Sequence, residues 1–198
     1  MNTEIEAKFL HVDHDVIRKK LRDIGAVCEQ PMRLMRRMTF DNPTMKAKDG
    51  FLRVRDEGNR VVMTYKQFDS LSLEGAKEIE IVVSDFDQAI GLVKALDDNW
   101  LRMSFQESRR ETWVYDEVEI VLDQWPWLDT YIEIEAPTSD KVAEMAQVLD
   151  LTMENAVYGD VMSAYRDQYP HLSDTDTVGN LPEVRFDAPL PEMFLNKR

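Results

Sequence analysis

Apolar and polar positions alternate strictly at the start of the chain, over Thr3-Glu4-Ile5-Glu6-Ala7-Lys8-Phe9-Leu10. Side chains of a strand point to opposite faces with period two. Glu4, Glu6 and Lys8 therefore share one face, and Ile5, Ala7 and Phe9 the other. The pattern returns at residues 51–55, where Phe51, Arg53 and Arg55 oppose Leu52 and Val54. It returns in 60–67, with Val62, Thr64 and Lys66 in phase, and in 77–83, with Glu78 and Glu80 against Ile79, Ile81 and Val83. Residues 131–135 repeat it, Glu133 and Glu135 against Ile132 and Ile134. Residues 28–41, 102–115 and 117–123 also read as extended, the first less cleanly. Asp56-Glu57-Gly58-Asn59 is a hairpin connection, Asp41-Asn42-Pro43 a turn, and 69–75 a loop.

Period 3.6 takes over elsewhere. Asp13 caps a helix to about Ile24 on Val16, Ile17, Leu21 and Ile24, with Gly25 as its stop. Asp85 caps a second helix with Phe86, Ile90, Val93 and Leu96 on its apolar side. Thr138 and Ser139 offer a cap to a third, carrying Val142, Met145, Ala146 and Leu149. A fourth, near 158–169, carries Val161, Met162 and Tyr165. The tail from Pro170 on holds four of the eight prolines and reads as an irregular strap. The expected organisation is one domain over residues 1–170, with an extension over 171–198 packed on it.

Composition narrows the classes. With 198 residues and 43% hydrophobic content the chain can build one real core. The single cysteine, Cys28, excludes an internal disulfide. No run is long enough to span a bilayer, and the opening shows no basic-then-apolar leader, so a soluble cytoplasmic protein is expected. A net charge of −14 speaks against nucleic-acid polymers and anionic membranes as partners. A small phosphorylated ligand remains open where basic residues gather locally.

The strands thus carry charged rows nearly pure in sign: Glu4/Glu6/Lys8, Arg53/Arg55, Glu78/Glu80 and Glu133/Glu135, extended by Lys66 and Asp123. An open antiparallel sheet could leave such a face in water. Closing the sheet would instead set the rows around one axis and abolish its edges. Buried charge without partners is costly, so a charged lumen makes sense with ligands. Clustered carboxylates suit Mg²⁺ or Mn²⁺, and clustered arginines suit phosphate oxygens. Together they are the equipment of phosphoryl or nucleotidyl transfer.

The motifs resemble a known family. Glu4-Ile5-Glu6-Ala7-Lys8 resembles the ExExK signature of the CYTH proteins, or triphosphate tunnel metalloenzymes. These include class IV adenylyl cyclases, thiamine triphosphatases and inorganic triphosphatases. Leu52-Arg53-Val54-Arg55, Thr64-Tyr65-Lys66 and Lys77-Glu78-Ile79-Glu80 resemble its inner strands. Arg110, three residues before Trp113, and Leu122-Asp123 followed by Glu133 and Glu135 resemble its later motifs, so that residues 3–165 are covered in order. The resemblance implies an α+β fold: an eight-stranded antiparallel β-tunnel with a charged lumen, packed outside by helices. It implies that Glu4, Glu6, Asp123, Glu133 and Glu135 hold Mg²⁺ or Mn²⁺. It implies that Lys8, Arg53, Arg55, Lys66 and Arg110 bind a small triphosphate, with Lys8, Lys66, Glu78 and Glu80 in the catalytic set. Arg37 joins on strand phase with Asp41.

The implied reaction is hydrolysis of tripolyphosphate or of a nucleoside or thiamine triphosphate. The alternative is cyclisation of ATP to cyclic AMP and pyrophosphate, and a third reading is a binding module without turnover. Three departures bear on this. Thr39-Phe40-Asp41 stands where the family often has Tyr-Tyr-Asp, Ser108 where a lysine is common, and no His-Phe precedes the first motif. Trp125 and Trp127 could stack on a base, or anchor a loop. His11, His14, His171 and Cys28 lack metal-ligand spacing. A homodimer is a possible assembly.

Overall fold

The computed structural model describes residues 1–96 and 102–195. The strands are β1 (Asn2–Glu4), β2 (Glu6–Phe9), β3 (Val27–Asp41), β4 (Gly50–Asp56), β5 (Val61–Phe68), β6 (Ala76–Val83), β7 (Arg102–Tyr115), β8 (Val118–Gln124), β9 (Tyr131–Glu135) and β10 (Glu183–Val184). The helices are α1 (His14–Asp23), α2 (Pro43–Lys46), α3 (Phe86–Leu96), α4 (Ser139–Val148) and α5 (Val161–Gln168). The sheet runs β1-β6-β5-β4-β3-β7-β8-β9-β2, antiparallel throughout.

The two ends of that order are neighbours in sequence, and this closes the barrel. The opening segment breaks at Ile5. Its first half pairs with β6, Glu4 opposite Ala76, and its second half with β9, Glu6 opposite Glu135. The Glu6 amide donates to the Leu73 carbonyl at 3.1 Å, and Lys8 and Val157 exchange two backbone hydrogen bonds of 2.9 Å. With the opening segment counted once, eight extended segments form the nearly closed α+β tunnel that the motifs imply.

Helices cover much of the outside. Asp13 caps α1 by accepting from the Asp15 amide at 2.8 Å, and Gly25 ends it at φ +82°, where glycine avoids a Cβ clash. Ile17 and Leu21 of α1 and Val142, Met145 and Ala146 of α4 bury Ala7, Phe9, Ile120, Leu122, Ile132 and Ile134 in one core. Ile132 is fully buried, and Ile132→Ala would cost about 2–5 kcal/mol through transfer and cavity terms. The hydroxyl of Thr138 caps α4, and a carboxylate oxygen of Asp85 accepts from the Gln88 amide at 2.7 Å at the start of α3.

Cover is incomplete in places where the pattern suggests it. Leu96 of α3 and Val16 of α1 face water, because the curved sheet reaches only Phe86, Ala89, Ile90 and Val93 of α3 and Ile17 and Leu21 of α1. Ile79 and Ile81, on the outer face of β6, are half exposed. Residues 43–46, read as turn and loop, form the short α2, capped by the Asn42 side chain.

The tail completes the wall. β8 pairs with β7 only from Arg109 onward, and β10 lies parallel to β7 at Phe105 and Gln106, where β8 has ended. Leu172, Val178, Val184 and Phe194 join Trp125, Tyr131, Met162 and Tyr165 in a second core. Of the extension at 171–198, the last three residues lie outside the described part. No helix among the described residues is long and apolar enough to cross a membrane.

Candidate active site

The inward faces of the strands enclose a cavity of about 980 Å³. That is at the upper end of ordinary ligand pockets. Glu4, Glu6 and Lys8 reach it from the opening segment, Arg37 from β3, Arg53 and Arg55 from β4, and Lys66 from β5. Glu78 and Glu80 reach it from β6, Arg110 from β7, and Glu133 and Glu135 from β9. Every metal-binding, phosphate-binding and catalytic candidate named from the sequence except Asp123 lines this one cavity, and of the two tryptophans Trp125 does and Trp127 does not.

The lysines stand among the carboxylates. Lys66 Nζ lies 2.5 Å from Glu4 Oε2 and 3.4 Å from Glu6 Oε1. Lys8 Nζ lies 3.4 Å from Glu6 Oε1 and 3.2 Å from Glu133 Oε1. Burial lowers the proton affinity of Lys8, but Glu133 and Glu6 outweigh it and drive the value up. Glu133, with Arg110 Nη2 at 2.9 Å from Oε2, is held well below the usual carboxylate range: burial opposes its charge, and Lys8 and Arg110 prevail. Asp123 is almost fully buried behind Arg110, whose Nε and Nη2 engage its two oxygens. It meets that guanidinium and not the open cavity.

Two carboxylates lack enough positive company. Glu135 is pushed up to about 8 by burial and by Glu4, Glu6 and Glu119. Glu78 is pushed up to about 7 by burial and by the negative charge of Glu4. Glu80 is fixed by the Thr64 hydroxyl at 2.9 Å and lies 4.0 Å from Arg53 Nη2. Among the described residues no three acidic, histidine or cysteine groups converge closely enough to cage an ion as they stand. The donor chemistry still fits a hard divalent cation. The cluster is all oxygen, two of its members are destabilised by neighbouring negative charge, and Lys66 supplies part of the missing counter-charge.

The basic wall has the opposite imbalance. Arg37, Arg53 and Arg55 each keep a buried Nε with no hydrogen-bond partner among the described residues. Arg37 makes no ion pair there. Its Nη2 donates to the Ser108 hydroxyl, and its guanidinium sits 4.3 Å over the Trp125 ring. Burial, then Arg55, Arg53 and Arg110, push the Arg37 value well down. Burial and Arg55 push Arg53 down to about 10. Buried donors left unsatisfied cost free energy. Several like charges with unused N–H groups on one wall call for an anion with several oxygens.

Other residues emerge with the fold. Arg60, Arg102 and Glu119 line the cavity, and period two from Lys66, Arg110 and Asp123 reaches each of them. Arg166 of α5 and the tail residues Asp174, Thr175, Thr177, Val178 and Gly179 line it too, by tertiary packing that local periodicity does not show. Trp125 holds Arg37, and Trp127 packs on Phe194 at 5.8 Å with its Nε1 donating to the Ala188 carbonyl at 3.1 Å. Cys28 is exposed. His14 is buried against the Tyr131 carbonyl, and His11 bridges Asp129 and Asp167 on the surface.

Comparison with known proteins agrees with this geometry. The sequence matches the CYTH domain over residues 2–158. The PH1012 protein of Pyrococcus horikoshii OT3 is similar in structure, with TM-score 0.68 and 25% identity over 81% of this chain and 98% of its own. A candidate adenylate cyclase of Vibrio parahaemolyticus gives TM-score 0.70 at 14% identity, covering 83% of this chain and 98% of its own. A candidate adenylyl cyclase of Hippeastrum with a dominant triphosphatase activity gives TM-score 0.54 at 15% identity, covering 83% of this chain and 96% of its own. No curated protein matches the sequence.

Proposed function

The chain belongs to the CYTH family, and on that premise we propose that its tunnel binds a triphosphate and hydrolyses it with a divalent cation, Mg²⁺ or Mn²⁺. The observation that carries this reading is the set of four cavity-lining guanidiniums, Arg37, Arg53, Arg55 and Arg166, whose buried Nε groups have no hydrogen-bond partner among the described residues. A triphosphate chain supplies oxygens for those donors and charge for Arg37, which lacks an acidic partner.

Glu4, Glu6, Glu78 and Glu135 would hold the cation, with Glu133 beside them and Asp123 acting through Arg110. A cation there would neutralise charge on the phosphates and make an attacking water more acidic. Lys8 and Lys66 stand among the carboxylates and line the same cavity as the arginines. They are placed to neutralise charge on the transferred phosphoryl group, where most of the catalysis of phosphoryl transfer arises. Glu80, anchored by Thr64, is placed to orient the water.

Trp125 bears on the substrate. Arg37 covers its ring face, and Trp127 is packed in the second core. Trp125 is nearly fully buried and Trp127 does not line the cavity, so neither is placed to stack on a nucleobase there, which favours hydrolysis of an inorganic or unstacked triphosphate over the cyclase reading. The test is incubation with tripolyphosphate, ATP or thiamine triphosphate plus Mg²⁺ or Mn²⁺. Orthophosphate from tripolyphosphate is the expected result. Cyclic AMP with pyrophosphate from ATP would replace it with the cyclase, and tight binding without product would replace it with a binding module.

A further inference from the structure

Hairpin tips normally give their polar side chains to water. Glu57 does the reverse. Gly58, Asn59 and Arg60 around it are exposed, yet Glu57 is only 4% exposed. The β4–β5 connection is shaped to turn it inward. Gly58 sits at φ +87°, a conformation that suits glycine, and its amide donates to Asp56 Oδ1 at 2.8 Å. The Glu57 amide donates to the Arg60 carbonyl at 2.9 Å, and Arg33 Nε donates to the Glu57 carbonyl at 3.0 Å.

The carboxylate is shared between two guanidiniums. Oε1 pairs with Arg55 Nη2, and Oε2 accepts from Arg60 Nε at 2.7 Å. Arg55 and Arg60 both line the cavity, whereas Glu57 does not. It lies behind them and cannot touch a ligand there. Arg60 also reaches toward Glu80, with Nη2 at 3.7 Å from Oε1.

We infer that Glu57 is a positioning residue that holds Arg55 and Arg60 in their triphosphate-binding pose, an inference that rests on the reading of the cavity as a triphosphate site. An arginine has many rotamers to lose on being fixed, and a tether made before the ligand arrives removes that loss from the binding step. The tether takes one terminal nitrogen of Arg55 and leaves Nε, buried and unpartnered, for the ligand. The second benefit is electrostatic. Arg37, Arg53 and Arg55 repel one another, as the depressed values of the first two show. A carboxylate behind the wall offsets that repulsion without occupying the space the phosphates need.

The test is a double-mutant cycle on the full chain with tripolyphosphate and Mg²⁺, covering wild type, Glu57→Gln, Arg55→Ala and the pair. Glu57→Gln is expected to raise KM and Kd about tenfold while kcat stays within about threefold, as for an interaction that binds without reacting. In the Arg55→Ala background the same change is expected to add only about threefold, because the Arg55 tether is already gone and only that of Arg60 remains to be lost. An equal effect in both backgrounds, or a loss confined to kcat, overturns the inference and makes Glu57 a plain hairpin clamp. If Glu57→Gln fails to fold, Glu57→Asp, which keeps the charge on a shorter arm, carries the same comparison. Wild type that neither binds nor turns over tripolyphosphate defeats the reading of the cavity, and the inference with it. Normal wild-type kinetics with an unaffected Glu57→Gln defeats the inference alone.

Discussion

Arg53→Met is expected to make the ligand-free protein more stable and to spoil the function. Burial and Arg55 bring the Arg53 value down to about 10. At about 1.4 kcal/mol per pH unit, the drop from the ordinary guanidinium value is about 3 kcal/mol against the charged form. A base depressed in the folded state costs stability while protonated. The deficit is therefore fully present at neutral pH and is relieved only as pH climbs through about 10. The side chain is 12% exposed, so solvent screens little of this. Methionine keeps much of the length and forgoes a weak 3.4 Å hydrogen bond to the Thr64 hydroxyl, worth about 0.5–1 kcal/mol. The net gain is about 2 kcal/mol, a rise in Tm of about 4–8 °C for a domain of this size. Tripolyphosphate at a hundredfold excess over its Kd should add about 2.7 kcal/mol to wild type and little to the variant. Differential scanning calorimetry with and without tripolyphosphate and Mg²⁺ should thus show the order of the two melting points reverse. A variant that melts several degrees below wild type without ligand would refute the claim that Arg53 is held against an electrostatic penalty.

Three further outcomes follow from the same site. Trp125→Ala should raise KM for tripolyphosphate by about 5- to 30-fold, the worth of a buried cation–π contact of 1–2 kcal/mol, and Trp125→Phe should recover part of it in the same steady-state assay. Glu4→Gln and Lys66→Met should each cut kcat by about a hundredfold or more with circular dichroism unchanged; full activity in either removes that residue from the catalytic set. Glu57 is held down to about 2: burial works against its charge, and Arg55 and Arg60 prevail. A carboxylate depressed in the folded state stabilises above its ordinary value and loses that effect as pH falls toward 2. The Tm gap between wild type and Glu57→Gln should therefore be widest near pH 7 and narrow steadily below about pH 4.5, as followed by thermal melts in a pH series.

The tunnel could be read from the chain because its charges lie on a simple period. Once Glu4, Arg53, Lys66, Glu78 and Glu133 are placed on inward faces, closure is the arrangement that gives them shared partners. The same count gives Arg60 and Arg102. Pairing within the lumen was less legible. Lys66 sits between Glu4 and Glu6, and Arg110 covers Asp123, because charges from separate strands meet only in the register of the closed sheet. Glu57 was hidden by its turn: hairpin composition predicts a polar residue, but only the backbone geometry around Gly58 turns it inward. The cover over Arg102 and Gln106 depends on a tail whose prolines and irregular path carry no periodic signal. The exposed outer face of β6 is a helix-placement question, and alternation cannot say where helices stop.

The divided opening segment has a consequence for synthesis. It is made well before the strands it joins, which lie around residues 76–78 for one half and 132–135 for the other. Until both exist, Ala7 and Phe9 have only α1 of their final cover within reach, and the first acidic row belongs to no enclosure. Pairing between such distant segments is intrinsically slow. The nascent chain therefore carries this segment without its strand partners through much of its elongation, and the barrel can close only after β9 has been made.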